Sequence, residues 1–229
     1  MIKGIGDFLS MADQLILKFP INKAYLKEDF YVSSSNQEAY EFIISWPRWI
    51  KRIVNIFGPS GSGKTHLASI LKTKTSTLEI ESDALNDKVF FEFKINEALI
   101  IENLEENISE KFLFSLWNVA LQDNKYLLIT SAKPISSYKF KLPDLKSRAS
   151  SSMIIGINLP SDDLISVILA KNFSDKQIKV EKKHIDYIIK RIDRSYEKIS
   201  QFILTLDKYS LKKGSPFSLK LIKEVLNMV

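Results

Sequence analysis

The run Gly58-Pro59-Ser60-Gly61-Ser62-Gly63-Lys64-Thr65 constrains this chain more than any other stretch. Its spacing, G-x-x-x-x-G-K-[ST], is that of a phosphate-binding loop, and the spacing has a mechanical reason. Glycines let the backbone fold tightly, so that successive N–H groups converge on one anion. Lys64 can then reach the β- and γ-phosphates, and Thr65 can offer its hydroxyl to Mg²⁺. The flanks agree with this. Residues 52–57 read as a short buried strand and residues 66–72 as a helix. That order sets the anion at a helix N-terminus, where unpaired N–H groups and the macrodipole favour negative charge. The expected ligand is a nucleoside di- or triphosphate.

Around this loop, short apolar strands alternate with helical segments, the pattern of an α/β domain with a parallel sheet. The expected strands are five: Ile53–Phe57, Thr77–Ile80, Ala98–Ile101, Tyr126–Thr130 and Met153–Ile157. A helix is expected over 109–121. Three regions emerge: a mobile tail over 1–20, the nucleotide-binding α/β domain over 21–159, and a small all-α domain over 160–229. In the last, Ser161-Asp-Asp-Leu164 opens a helix with a cap and first-turn acids. One long helix is expected from the stripe Ile185, Ile188, Ile189, Ile192, Tyr196, Ile199, Phe202, Ile203 and Leu206. Gly214-Ser-Pro216 then breaks the chain before a final helix over 218–228.

Composition excludes several function classes. With 45% hydrophobic and 26% charged residues the chain can bury a real core. No apolar run approaches the ~18–20 residues that cross a membrane, and the N-terminus lacks the form of a signal peptide. The absence of cysteine rules out disulfides, thiolate metal sites and Cys nucleophiles, so a cytoplasmic protein is expected. The net charge of +6 is unevenly spread, with residues 1–159 carrying 19 basic and 18 acidic side chains and residues 160–229 carrying 14 and 9. Lysines are interspersed with acids, which reads as a solvated surface rather than a nucleic-acid track.

Three further sites carry candidate chemistry. Ala98-Leu-Ile-Ile-Glu102-Asn103 is an apolar strand ending in an acid, which could sit beside the phosphate loop and hold Mg²⁺ through water. Glu102 is the candidate metal-side acid, with Thr65, unless it is an ordinary strand-end carboxylate. Asn103 stands where a water-orienting carboxylate is common. An amide positions water but accepts a proton poorly, so slow intrinsic hydrolysis is expected. Arg148, in Leu142-Pro-Asp-Leu-Lys-Ser-Arg148, is the only arginine between Arg52 and Arg191. Its planar cation could stabilise a transferring phosphoryl group, or form a salt bridge within the fold. Finally, Gln14-Leu15-Ile16-Leu17-Lys18-Phe19 has the alternation of an extended peptide that docks in a partner's groove through Gln14, Leu15, Leu17 and Phe19, or of an edge strand of this protein's own sheet.

Together these features resemble the DnaA/Hda branch of the AAA+ ATPases, and within it the alphaproteobacterial Hda-type regulators. Gln14–Phe19 is similar to a sliding-clamp-binding hexapeptide. Asp29-Phe-Tyr31-Val32-Ser-Ser-Ser-Asn36 is similar to the segment that cradles adenine. Gly58–Leu67 matches G-x-x-G-x-G-K-T-H-L, which extends the nucleotide-contacting run to His66. Leu127–Pro134 resembles a sensor 1 strand, Leu142–Arg148 an arginine-finger segment, and the helical end an AAA+ lid. The sensor 1 position offers Ser131, Ala132 and Lys133, and the sensor 2 position offers Ser200 with Lys198 nearby, neither of which reproduces a bidentate arginine contact.

The resemblance implies a regulator of replication initiation that holds ADP or ATP with Mg²⁺. It would grip the DNA polymerase sliding clamp and promote hydrolysis of ATP on a DnaA-type initiator, acting on DNA only indirectly, with homo-oligomers possible and no membrane partner. Arg148 would project toward a neighbouring subunit's nucleotide. The alternatives are an autonomous AAA+ ATPase such as a helicase loader or other replication accessory factor, a DNA-binding initiator, and a small-molecule kinase. An appended helix-turn-helix is not expected, because the chain ends soon after the lid.

Overall fold

Strands this apolar and this short can be buried on both faces only in a parallel sheet covered by helices on each side. The computed structural model, which describes residues 29–175, 178, 180–213 and 218–229, has that arrangement. Strands β1 (Ile53–Phe57), β2 (Thr77–Glu81), β3 (Ala98–Leu104), β4 (Tyr126–Ser131) and β5 (Met153–Gly156) form one five-stranded sheet. Its order is β2-β3-β4-β1-β5, and every pairing is parallel. The five expected strands are all present, with ends moved by a few residues. The largest change is in β3, which runs on through Glu102 and Asn103 to Leu104.

The period-2 alternation of the strands sorts their side chains onto two helical layers. Ile53, Leu99, Ile101, Leu127 and Ile129 face α3 (Lys88–Ile95), α4 (Glu110–Gln122) and α5 (Pro143–Ser151), through Phe93, Leu116, Trp117 and Leu145. Val54, Ile56, Ile100 and Leu128 face α1 (Gln37–Ile44) and α2 (Lys64–Lys72), through Ile43, Leu67 and Leu71. Helix α4 starts where the sequence requires, with the Ser109 side chain accepting from the Phe112 N–H. In open sheets of this kind ligands sit beyond the carboxyl ends of the strands, and β1 ends there, at Phe57, directly before the glycine-rich loop.

One polar side chain breaks the apolar logic of the sheet. Asn55, in the middle of β1, is fully buried. Its Nδ2 donates to Ile129 O at 3.1 Å and to Ser131 Oγ at 2.8 Å, and its Oδ1 accepts from the Ile135 N–H at 2.8 Å. The side chain thus stitches the end of β4 and the following turn to β1. A fully satisfied polar group of this kind specifies one arrangement of the chain at little cost.

The remaining helices are α6 (Asp162–Asp175), α7 (Lys182–Ile189), α8 (Tyr196–Lys213) and α9 (Leu219–Leu226), and they share a separate core that includes Ile165, Phe173, Ile188, Phe202 and Ile222. The single long helix expected over 185–206 is two helices. Ser195 ends the continuity, because its Oγ accepts from the Lys198 N–H at 3.1 Å and its carbonyl from the Ile199 N–H, opening α8. The apolar stripe nevertheless marks core residues on both sides of the break, because both helices feed one core. No helix among the described residues is long and apolar enough to cross a membrane. Replacing Asn55 with Leu strands the buried Ile135 N–H, so about 1–3 kcal/mol of stability should be lost. Urea unfolding of the two proteins, compared at equal slope, measures this.

Candidate nucleotide site

The glycine-rich loop leaves β1 at Gly58, whose N–H donates to Ser131 O at 3.1 Å, and delivers the chain directly into α2. Two glycines are dictated by geometry. Gly61 and Gly63 have φ of 77° and 93°, in the left-handed region that L side chains rarely adopt. They are also crowded: a Cβ on Gly63 would lie 3.0 Å from the Phe30 ring, and one on Gly61 would lie 3.0 Å from Tyr196 Cβ. The loop is therefore gripped between the Phe30 ring from the segment before α1 and the Cβ and backbone of Tyr196 at the start of α8. Phe30 is itself stacked on Tyr40 and edge-on to His66.

Behind the loop, charged groups converge in a nearly dry setting. Lys64 is only 8% exposed, and its ammonium donates to Gly58 O at 2.8 Å and Pro59 O at 3.0 Å. Burial pulls its pKa below the usual lysine range, opposed in part by the charge of Glu102. Glu102 is 2% exposed, and its Oε2 accepts from Thr65 Oγ1 at 3.1 Å and Thr130 Oγ1 at 2.9 Å. Burial nonetheless pushes its carboxyl above the usual range.

Three buried side-chain polar atoms lack a hydrogen-bond partner among the described residues, and two of them, Ser62 Oγ and Glu102 Oε1, belong to this site. Such atoms cost free energy unless something satisfies them. A hydroxyl and a carboxylate beside a phosphate cradle suit Mg²⁺, which takes one or two protein oxygens and completes its shell with phosphate and water. The donor set fits, and Thr65 and Glu102 are the residues that would hold the ion. No cluster of three His, Cys, Asp or Glu among the described residues offers an all-protein cage instead.

Two cavities flank the loop. A polar cleft of about 600 Å³ is lined by residues 60–66 together with Asn103, Leu104, Glu105, Ala132 and Ser200. A smaller recess of about 140 Å³ lies on the other side, lined by Phe30, Tyr31, Asn36, Ile168 and Tyr196 among others. Of the expected base-side residues, Tyr31 lines this recess. Asn36 lines it too, but its amide is spent on shaping the turn, donating to Tyr31 O at 3.0 Å and accepting from the Ser33 N–H at 2.8 Å. Val32 lines neither cavity. Sequence reasoning did not single out Phe30 within the 29–36 segment, and it missed Tyr196, which carries no motif signal. Tyr196 counts in the sequence as one more member of the helical stripe, yet its Cβ crowds Gly61 and its hydroxyl donates to Asn158 O at 3.2 Å.

The remaining candidates fall at different distances from the cleft. Among the sensor 1 residues, Ser131 is absorbed in the Asn55 network and Lys133 pairs with Glu106 at 2.9 Å, which leaves Ala132 at the cleft. Ser200 reaches the cleft, whereas Lys198 turns away and donates to Val229 O at 2.7 Å. Arg148 does not line the cleft. Its guanidinium lies 4.5 Å over the Phe114 ring of α4, and its Nη1 is the third buried atom without a hydrogen-bond partner. Gln14, Leu15, Leu17 and Phe19 lie outside the described residues.

No protein-family profile matches the chain. In sequence it is similar to the chromosomal replication initiator protein DnaA of Campylobacter jejuni subsp. jejuni serotype O:6, at 26% identity over 90% of this chain and 53% of the initiator. The chain thus spans about half the length of the initiators it matches. In structure it is similar to domain III of the Thermotoga maritima replication initiation protein DnaA, with a TM-score of 0.75, 19% identity, and coverage of 91% of this chain and 98% of that one. The AMPPCP-bound DnaA of Aquifex aeolicus gives 0.68 at 18% identity, covering 82% of this chain and 67% of that one. In sequence the chain is thus similar to DnaA, and its α/β fold is that of DnaA domain III.

Proposed function

We propose that this chain is a replication-initiation regulator that holds an adenine nucleotide with Mg²⁺ in the cleft beside Lys64, Thr65 and Glu102. The phosphates lie against the N–H groups of residues 60–65, and the base enters the recess beside Tyr31 and Tyr196. The ion, held by Thr65 and Glu102, supplies charge neutralisation for the phosphate oxygens. Residues 160–229 act as the lid of the 21–159 nucleotide domain, since Tyr196 and Ser200 of α8 reach the loop and the cleft. The tail residues Gln14, Leu15, Leu17 and Phe19 engage the sliding clamp.

The observation that carries the regulatory part is the position of Arg148. It does not line the chain's own cleft and is stacked on α4, which supports a role on nucleotide held by a neighbour, a DnaA-type initiator or a second copy. Hydrolysis of the initiator's ATP, promoted across that interface, would turn initiation off. A second reading, an AAA+ replication factor that works by its own turnover, is favoured by the completeness of the Lys64–Thr65–Glu102 set. Turnover of ~1–10³ s⁻¹ by the isolated chain would select that reading.

Three measurements test these assignments. Lys64→Ala should weaken binding of a fluorescent ADP analogue by roughly 10- to 100-fold, the worth of a charge-assisted hydrogen bond, while circular dichroism stays unchanged. Arg148→Ala should bind that analogue normally and fail to accelerate hydrolysis of initiator-bound ATP; undiminished acceleration removes Arg148 from the mechanism. In a pull-down with the sliding clamp, the pair Gln14→Ala/Leu17→Ala should lose binding, and retention overturns the tail assignment.

A further inference from the structure

Asn103 occupies an unusual setting in the cleft. It is a non-glycine residue with φ of 52°, placed where the pairing of β3 with β4 slips. Its N–H leaves the strand ladder and donates to Thr130 Oγ1 at 2.9 Å. The same hydroxyl donates to Glu102, so the backbone at residue 103 is fixed to the network of the candidate metal-side acid. The side chain is fixed from the opposite direction. Its Nδ2 donates at 3.0 Å to Oε2 of Glu81, the last residue of β2 and the register partner of Glu102.

A carboxylate facing an amide can only accept, so the Asn103 amide has one permitted orientation. Its nitrogen faces Glu81, and Oδ1 makes no hydrogen bond among the described residues. Without the carboxylate, the two ends of the amide could exchange places and present a donor where an acceptor is needed. No motif marks Glu81; its strand partner does.

We propose that Glu81 is a positioning residue for hydrolysis in this chain's own cleft, holding the Asn103 amide so that Oδ1 accepts from the attacking water. The inference rests on the nucleotide reading above and goes beyond it. In the step so assisted, the water oxygen bonds to the γ-phosphorus as the bond from that phosphorus to its bridging oxygen breaks. The electron pair stays with the departing ADP, and the water proton passes to an oxygen of the released phosphate, because a neutral amide does not take it. The Glu81–Asn103 pair contributes orientation, which is a rate effect with no requirement for tighter ground-state binding.

Single-turnover hydrolysis of radiolabelled ATP by the full chain tests this, alongside binding of a fluorescent ATP analogue. Glu81→Ala should slow hydrolysis by roughly 10- to 100-fold with affinity unchanged. Glu81→Gln should retain most of the rate, since its carbonyl still accepts from Asn103. In an Asn103→Ala background, Glu81→Ala should have no further effect. The inference is overturned if Glu81→Ala hydrolyses at the parent rate, or slows hydrolysis equally in both backgrounds. Binding with no rate difference among parent and variants sinks this inference alone, whereas a parent chain that binds no nucleotide sinks the nucleotide reading and this inference with it.

Discussion

The Glu102 carboxylate is the point at which the sheet, the phosphate loop and the cleft are joined. It sits on β3, takes a hydrogen bond from Thr65 on α2 and another from Thr130 on β4, and is almost entirely removed from water. An ionised carboxylate in such a place is expensive, and burial accordingly favours its protonated form. Two hydroxyls and the Lys64 ammonium offset part of that cost, and one oxygen remains unsatisfied. The arrangement is incomplete on its own terms. A cation beside that oxygen would offset the remaining cost.

The same economy governs Lys64. Its ammonium donates to two carbonyls of its own loop, which satisfies a buried charge. The loop is braced from two sides. Phe30 presses on Gly63 and Tyr196 on Gly61, so two separate parts of the chain meet across eight residues of loop. Because Tyr196 opens α8, any rearrangement of the loop is felt at the start of that helix. This is a physical route by which the state of the cleft could bias the angle of residues 160–229.

Fold and loop were legible in the sequence for different reasons. The central strands β1, β3 and β4 were legible because each is a short run buried on both faces, and buried strands such as 98–101 carry little but aliphatic residues. The loop was legible because φ of 77° and 93°, with Tyr196 Cβ and the Phe30 ring close by, leaves glycine as the residue that fits at positions 61 and 63. Legibility failed where a long-range partner decides the outcome. The periodicity over 185–206 could not reveal that Ser195 starts a new helix, since the two helices share one core and so keep one stripe. Asn55 looks like a flaw in a strand until its three partners, from 129 to 135, are brought beside it. Glu81 looks like a solvated strand-end acid until Asn103 is seen across the ladder.

The setting of Arg148 follows from two residues of α4 spaced one turn apart. Glu110 accepts from the N–H groups of Lys141 at 2.9 Å and Leu142 at 2.7 Å, immediately before α5, and those backbone donors hold its carboxyl below the usual range. One turn on, Phe114 lies beneath the guanidinium itself. One contact fixes where α5 begins and the other fixes where its arginine points, so the cation is held by the helix that follows the Glu102 strand. An arginine meant only to balance local charge would sit on a carboxylate. This one is stacked on an aromatic face, which orients a planar cation without neutralising it.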